Sequence, residues 1–450
     1  MGNKKEERKE FLDEDVYRPV PKEGRNSWIH FLMIFIGMWA SLAAIGGGVD
    51  IGMKITPWKA CLGLFLGYMI CLVVGLLIGE VGRKERLSTY PLLSRPFSPV
   101  GKIVPVFFVF LIAGIFIGVQ ADAVARVIMS VIGWEITPGF ISNRAIFSTV
   151  LCAIMMYSAY KGIGHIKIVS WVAMPLFITA LIVFLVIGVM HYPGGLSAIL
   201  TQETHEVGFS AALFLGVSLY AGFTACLSDV SRFITTQKGL IISLVIGYAI
   251  SAFIPIWGVL VGRIHGIVYW EIFATCGVAL GVFAAISLFF AQWTTNDNNC
   301  FTSGLALSTI FRTFHDKWKK FPLLTRKYAT LVPAIVGVIL AFVGSGAVAP
   351  LLMFVGALGS WLPPAGGVMI AHFYVVEGKK EKIEAKGLAG LISWIVISSL
   401  VQFGIMPWAA IMGILGAFVL YLILYYGVEV PIWGKKIIGE KVKEEKEELV

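Results

Sequence analysis

Twelve apolar stretches recur along the chain between short polar segments, at about residues 28–52, 57–80, 102–131, 145–161, 167–190, 209–230, 239–262, 272–310, 328–346, 349–372, 387–405 and 408–427. Most have the roughly 18 to 25 residues that cross a hydrocarbon layer at about 1.5 Å per helical residue. The pattern predicts an all-α membrane protein with 12 transmembrane helices. The eighth stretch breaks its own pattern, because Ala291-Gln292-Trp293-Thr294-Thr295-Asn296-Asp297-Asn298-Asn299 stands at its centre between apolar flanks. Unpaired amides and carboxylates are costly in hydrocarbon, so they persist there only against protein, ions or trapped water. The block therefore marks a binding cavity.

Glycine sets two further stretches apart. The first carries Gly37 and Gly46-Gly47-Gly48, and the sixth carries Gly216 and Gly222 around Ser218. Interrupted helices at matching places in two halves point to a transporter built from inverted repeats, with solute held at the breaks near the bilayer midplane. The spacing predicts two five-span repeats, over 28–190 and 209–372, then two additional helices over 387–427, with tails at 1–27 and 428–450. Small residues that merely let helices pack closely are the competing reading. In the eighth stretch Thr294 and Thr295 follow Ala291 by three and four residues, which sets the Ala291 carbonyl and both hydroxyls along one helical stripe. A hard cation such as Na+ takes oxygens of this kind, and the carbonyls of Met38 and Ser41 in the first stretch are spaced to complete its shell. A Thr-Thr pair bonding back to its own helix is the simpler reading.

Composition agrees with the membrane assignment: 58% of the 450 residues are hydrophobic and 14% charged, far more apolar length than one soluble core needs. A net charge of +9 suggests nucleic acid until its distribution is considered. All but five of the 36 Lys and Arg fall in the two tails and in every second loop, the exceptions being Lys54, Lys59, Arg126, Arg144 and Arg263. By the positive-inside bias both termini are expected in the cytoplasm. The first 25 residues are charged and show no cleavable signal. The six cysteines, Cys61, Cys71, Cys152, Cys226, Cys276 and Cys300, lie in or beside apolar stretches without CxxC spacing and read as small buried hydrophobes. The chain contains no GxxxxGK[ST] phosphate loop, no HExxH and no GxSxG, and His30 has no evident catalytic partner. These features predict a carrier, not an enzyme or an ATP-driven pump.

Four motifs carry a resemblance to a known family. They are Trp293-Thr294-Thr295-Asn296-Asp297-Asn298, Ser228-Asp229-Val230-Ser231-Arg232-Phe233, Leu362-Pro363-Pro364-Ala365-Gly366-Gly367-Val368-Met369-Ile370-Ala371, and Leu92-Leu93-Ser94-Arg95-Pro96-Phe97-Ser98, with a looser match from Gly164 to Pro175. Taken in chain order, these motifs resemble the nucleobase:cation symporter-1 family, and within it the bacterial cytosine permeases. The resemblance implies the leucine-transporter fold, alternating access, and Na+ between spans one and eight, held by the carbonyls of Met38, Ser41 and Ala291 and the hydroxyls of Thr294 and Thr295. It further implies a flat heterocycle sandwiched between Phe116 and Tyr220. Gln120 and Asn296 would bond its edges, as would backbone groups around Ser218 and Gly222. The implied partners are this small solute and the lipid bilayer of the cell membrane, with no nucleic acid, and the chain is expected to work as a monomer.

The chain departs from the family's cytosine carriers. Phe116 stands where they have tryptophan, Ala113 and Ala291 where they have polar side chains, and His372 where an acidic residue is common. Fewer edge-reading groups weaken the case for cytosine itself and leave open a purine, a substituted pyrimidine, a hydantoin-like ring or a vitamin-related heterocycle. A proton-coupled carrier of an amino acid or amine is the alternative. Asp122 and Arg126, four residues apart, are expected to form a structural ion pair, and Asp229 to pair with Arg232 or with loop backbone.

Overall fold

The computed structural model describes residues 16–38, 40, 42–266, 277–344, 348–378, 383–384, 386–433 and 435–436. Helices dominate them: α1 (Ile29–Gly37), α2 (Leu42–Lys54), α3 (Pro57–Glu85), α4 (Thr89–Phe97), α5 (Ile103–Val131), α6 (Asn143–Lys161), α7 (Ile163–His191), α8 (Gly195–Leu200), α9 (Phe209–Ala225), α10 (Ser228–Ser231), α11 (Gln237–His265), α12 (Val278–Lys317), α13 (Arg326–Ala329), α14 (Leu331–Val343), α15 (Val348–Ile370), α16 (Leu388–Gln402), α17 (Ala409–Leu424) and α18 (Val430–Trp433). Two-residue strands, β1 (Ile383–Glu384) and β2 (Lys435–Lys436), pair antiparallel.

Each predicted stretch contains helix, yet not all are of membrane length. Among the described residues nine helices are long and apolar enough to cross a bilayer, or ten if α1 and α2, which meet at 52°, form one bent span. The other two stretches are α16, with only 15 residues, and α6, whose apolar residues are diluted by Ser148, Thr149, Ser158 and two tyrosines. The chain is thus a multi-pass helical membrane protein.

Local chemistry places the ends of these helices. Ser142 and Thr236 cap α6 and α11 by accepting from Ala145 N and Gly239 N, each at 3.1 Å, which satisfies amides that a first turn leaves orphaned. A carboxylate does the same for α16 from a distance: Glu429 accepts from Gly387 N and, at 2.7 Å, from Ala389 N. The helices then pack as two groups about the broken first span. α2, α3, α9 and α11 lie together on one side, and α5, α6, α12 and α14 on the other, with α15, α16 and α17 joined to the first group through α9. α1 leans on α11, α7 and α12.

The glycine reading needs correcting. α9 runs unbroken through Gly216, Ser218 and Gly222, so the sixth span has no interruption there; its helix gives way only at Cys226-Leu227, before α10. Gly216 instead allows contact with α3, since a Cβ on it would lie 2.7 Å from the Leu64 carbonyl. Gly46-Gly47-Gly48 likewise sits inside α2, where Gly48 meets the backbone of Pro255. At both places the small-residue packing reading holds. The first span does break, ahead of this run, between Gly37 and Leu42.

Candidate functional site

α12 carries the polar block without bending away from it, as one helix of 40 residues with every residue from Thr294 to Asn299 buried. Its hydroxyls face the break in the first span. Thr294 Oγ1 donates to Gly37 O (3.0 Å) and Ala291 O (2.8 Å), and Thr295 Oγ1 to Gly37 O (3.0 Å) and Ala291 O (3.4 Å). Two carbonyls and two hydroxyls therefore converge in a buried cluster with no nitrogen or sulfur ligand among them. That donor set suits a hard monovalent cation, for which the hydroxyls would turn their lone pairs inward. Back-bonding to Ala291 accounts for only half of the contacts, because both hydroxyls also reach another helix.

The sequence reading named the Met38 and Ser41 carbonyls, and the structure adds the Gly37 carbonyl. Gly37, at the end of α1, supplies the carbonyl that meets both threonines, while Met38 follows as the buried capping residue, its amide bonded to Ile34 O at 2.8 Å. Ser41 lies outside the described residues. A Cβ on Gly37 would sit 2.7 Å from Thr294 Oγ1, so glycine is what admits the hydroxyl, and this requirement was the available signal.

The residues expected to hold a heterocycle divide into three places. Phe116 and Gly222 line one cavity of about 30 Å3 together with Phe223, Asn299, Thr302, Leu358 and Leu362. Phe116 also meets Phe354 edge-on, with ring centroids 6.1 Å apart. Tyr220 is turned to the other side of α9. Its hydroxyl donates to Phe35 O (2.7 Å) and its ring packs on Tyr68 and Tyr248 (centroids 5.2 and 4.3 Å). Phe116 and Tyr220 thus do not share the cavity that Phe116 lines. Ser218 bonds back to Phe214 O (2.7 Å) and backs onto Gly359.

The amides also separate. Asn296 donates to Ile117 O (3.2 Å) and to Met155 Sδ (3.3 Å), which ties α12 to α5 and α6, and its oxygen has no partner among the described residues. Gln120 accepts from Gln292 Nε2 at 2.7 Å. Asn299, given no role by the sequence reading, lines the cavity with Phe116, and its buried amide nitrogen has no partner among the described residues. A buried donor without a partner is costly and calls for an acceptor.

The match to known proteins covers most of the membrane domain. Residues 19–390 match the family model described as permease for cytosine/purines, uracil, thiamine, allantoin. The chain belongs to this permease family. It is 23% identical over 383 residues to the cytosine permease of Escherichia coli (strain K12), covering 84% of this chain and 85% of that protein. The fold of the permease matches that of Mhp1, a nucleobase-cation-symport-1 family transporter, in a closed conformation with bromovinylhydantoin bound (TM-score 0.74, 15% identity, 92% of this chain and 95% of that one). It also matches a Na+-coupled sialic acid symporter in a substrate-bound outward-open state (TM-score 0.68, 14% identity, 96% and 95%). These relatives are transporters, and the permease is a transporter and not an enzyme.

Other polar groups hold the permease together around its site. Asp229 does not bond the Arg232 guanidinium; it accepts from Thr89 N (2.9 Å) and Thr302 Oγ1 (3.4 Å), capping α4 from outside and linking it to α12. Arg232 Nε instead bonds the Asp229 carbonyl at 3.2 Å. Asp297 accepts from Ser158 Oγ (2.9 Å) and Asn298 Nδ2 (3.2 Å). At the Lys- and Arg-rich end, Arg95 joins Glu85 (2.5 Å) and Glu377 (3.0 Å), and Glu377 also meets His372 (3.2 Å). Burial pushes the Glu377 carboxyl up, but contact with His372 and the Arg95 charge outweigh it and hold the group below the ordinary carboxylate range.

Asn299 gives the most direct test of the cavity. Replacing it by alanine is expected to raise the dissociation constant for the transported solute about 10-fold, the worth of one buried hydrogen bond, with little change in the thermal midpoint of the ligand-free protein. Isothermal titration of the two purified proteins would decide, and equal affinities would remove Asn299 from the site.

Proposed function

We propose that this permease imports a nucleobase or a related planar nitrogen heterocycle across the cell membrane by symport with Na+, through alternating access. The observation that carries this reading is the oxygen cluster of Gly37, Ala291, Thr294 and Thr295, which joins the break in the first span to the polar face of α12. Next to it on α12, Asn299 and the α5 residue Phe116 offer an aromatic face and an amide edge, the pair of contacts a flat heterocycle needs. The cavity of about 30 Å3 is far below the roughly 300 Å3 and more of ordinary ligand pockets, so the bundle must open for a ring to enter. A carrier that closes its site between two openings has this property.

In this reading Phe116, Gln120, Gly222 and Asn299 contact the ring, and Ser218, Tyr220 and Asn296 position helices around it. The chain has two inverted five-helix repeats and two further helices, twelve spans in all, and both termini face the cytoplasm, as the basic loops indicate. It acts as a monomer. The experiment is a thermal-shift screen of the purified permease against nucleobases, hydantoins and vitamin-related rings, in sodium and in choline chloride. A true ligand raises the midpoint by mass action, and more so with sodium; a panel of amino acids or amines that stabilises in place of every ring would replace this reading.

A further inference from the structure

A relay of hydrogen bonds crosses the centre of the permease through Gln292. The Leu42 N–H, at the start of α2 just past the break, donates to Gln292 Oε1 (3.1 Å), and Gln292 Nε2 donates to Gln120 Oε1 (2.7 Å). All three residues are fully buried. A primary amide can be turned end for end, so its orientation is dictated by what it meets. Here one end is fixed, because a backbone N–H can only donate. The Gln292 oxygen must therefore face α2 and its NH2 must face α5. That NH2 takes the Gln120 oxygen, which leaves Gln120 with its own NH2 pointing onward. This nitrogen has no partner among the described residues. Gln120 stands one turn beyond Phe116 on the same face of α5; Phe116 lines the cavity, and Gln120, fully buried, is not among its lining residues.

We propose that Gln292 is a positioning residue which fixes the polarity of Gln120, so that the site selects rings presenting a carbonyl oxygen to α5 and rejects an amino group there. The inference rests on the reading of Phe116 and Gln120 as the solute-binding face. Two NH2 groups set against each other satisfy neither, and a buried donor left unpaired discriminates strongly between otherwise similar rings. The relay begins in the same break that supplies the Gly37 oxygen, so recognition of the ring edge and the position of the first span are fixed by one amide.

The test uses the full-length protein and ring pairs in which a carbonyl is exchanged for an amino group, hypoxanthine against adenine and uracil against cytosine, with binding measured by competition. In the wild type the carbonyl member of a bound pair is expected to be favoured by about 10-fold or more. Gln292→Glu, measured at a pH where the carboxyl is ionised, keeps an acceptor for Leu42 but offers only acceptors to Gln120, which must then turn its NH2 inward and present its oxygen; the preference inverts. Gln292→Leu leaves Gln120 free to adopt either orientation, and the ratio falls toward unity. Should the variants not fold, the wild-type ratio alone decides, and a preference for the amino members overturns the proposal. So does an unchanged ratio in folded Gln292→Glu and Gln292→Leu. If no ring of any kind binds the wild type, the functional reading itself has failed, and this is seen before any variant is made.

Discussion

Replacing Thr294 and Thr295 together by alanine is expected to abolish the stimulation of solute binding by sodium. Both hydroxyls reach Gly37 O and Ala291 O, so the double substitution removes two of four oxygens and leaves two carbonyls on different helices with nothing between them. A charged hydrogen-bonding partner is worth about 1.5 to 3 kcal/mol, so losing two shifts the sodium dependence by about 100-fold or more. Thr294→Ser with Thr295→Ser keeps both hydroxyls and should keep the sodium response, which separates the loss of oxygen from the loss of methyl packing. Radioligand binding at graded sodium, with choline as the balancing cation, reads the effect. If the alanine pair responds to sodium as the wild type does, the cation is held elsewhere. If the wild type responds to pH and ignores sodium, the coupling ion is a proton.

The oxygen stripe on α12 was legible because a helix puts residues three and four apart on one face, and Ala291, Thr294 and Thr295 stand at that spacing. Gly37 was not named as its partner, because a carbonyl carries no sequence signature; only the need for a glycine opposite Thr294 marks Gly37. The glycine runs misled for a related reason. Gly48 and Gly216 stand in runs that look like helix breakers, yet each is used where the neighbouring backbone passes too close for a Cβ. The sequence could not distinguish the two uses without knowing which helices touch. The amide that faces the cavity was hidden by the polar block itself. From Gln292 to Asn299 nearly every position is polar, so no apolar stripe remains to show which side of α12 faces ligand. Asn296 proved to bond Ile117 and Met155, while Asn299 faces the cavity. The long helices, by contrast, needed no partner to be recognised, since bilayer thickness alone sets their length.

Substituting Asp122 by alanine is expected to destabilise the permease more than any other single change at its Lys- and Arg-poor end. The sequence offered Arg126 as its partner, and that pair is present at 3.0 Å. Arg144, 22 residues on and at the start of α6, also bonds the same buried carboxylate. Its guanidinium reaches at the same time to the carbonyls of Ala341 (3.4 Å), Phe342 (3.3 Å) and Val343 (3.5 Å), the last turn of α14. A cation there satisfies carbonyls that the helix end leaves open and opposes its dipole. The trio therefore clamps α5, α6 and α14 together behind α12. Arg126 is about a third exposed, so its loss should cost about 1 kcal/mol or less. Losing Asp122 strands Arg144 in the interior without a counter-charge, which costs about 3 to 5 kcal/mol. Thermal midpoints in detergent should therefore fall much further for Asp122→Ala than for Arg126→Ala, and the double variant Asp122→Leu, Arg144→Leu should recover part of what Asp122→Leu alone loses. Equal losses for Asp122→Ala and Arg126→Ala would show that the pair seen in the sequence, not the clamp on α14, carries the stability of this end.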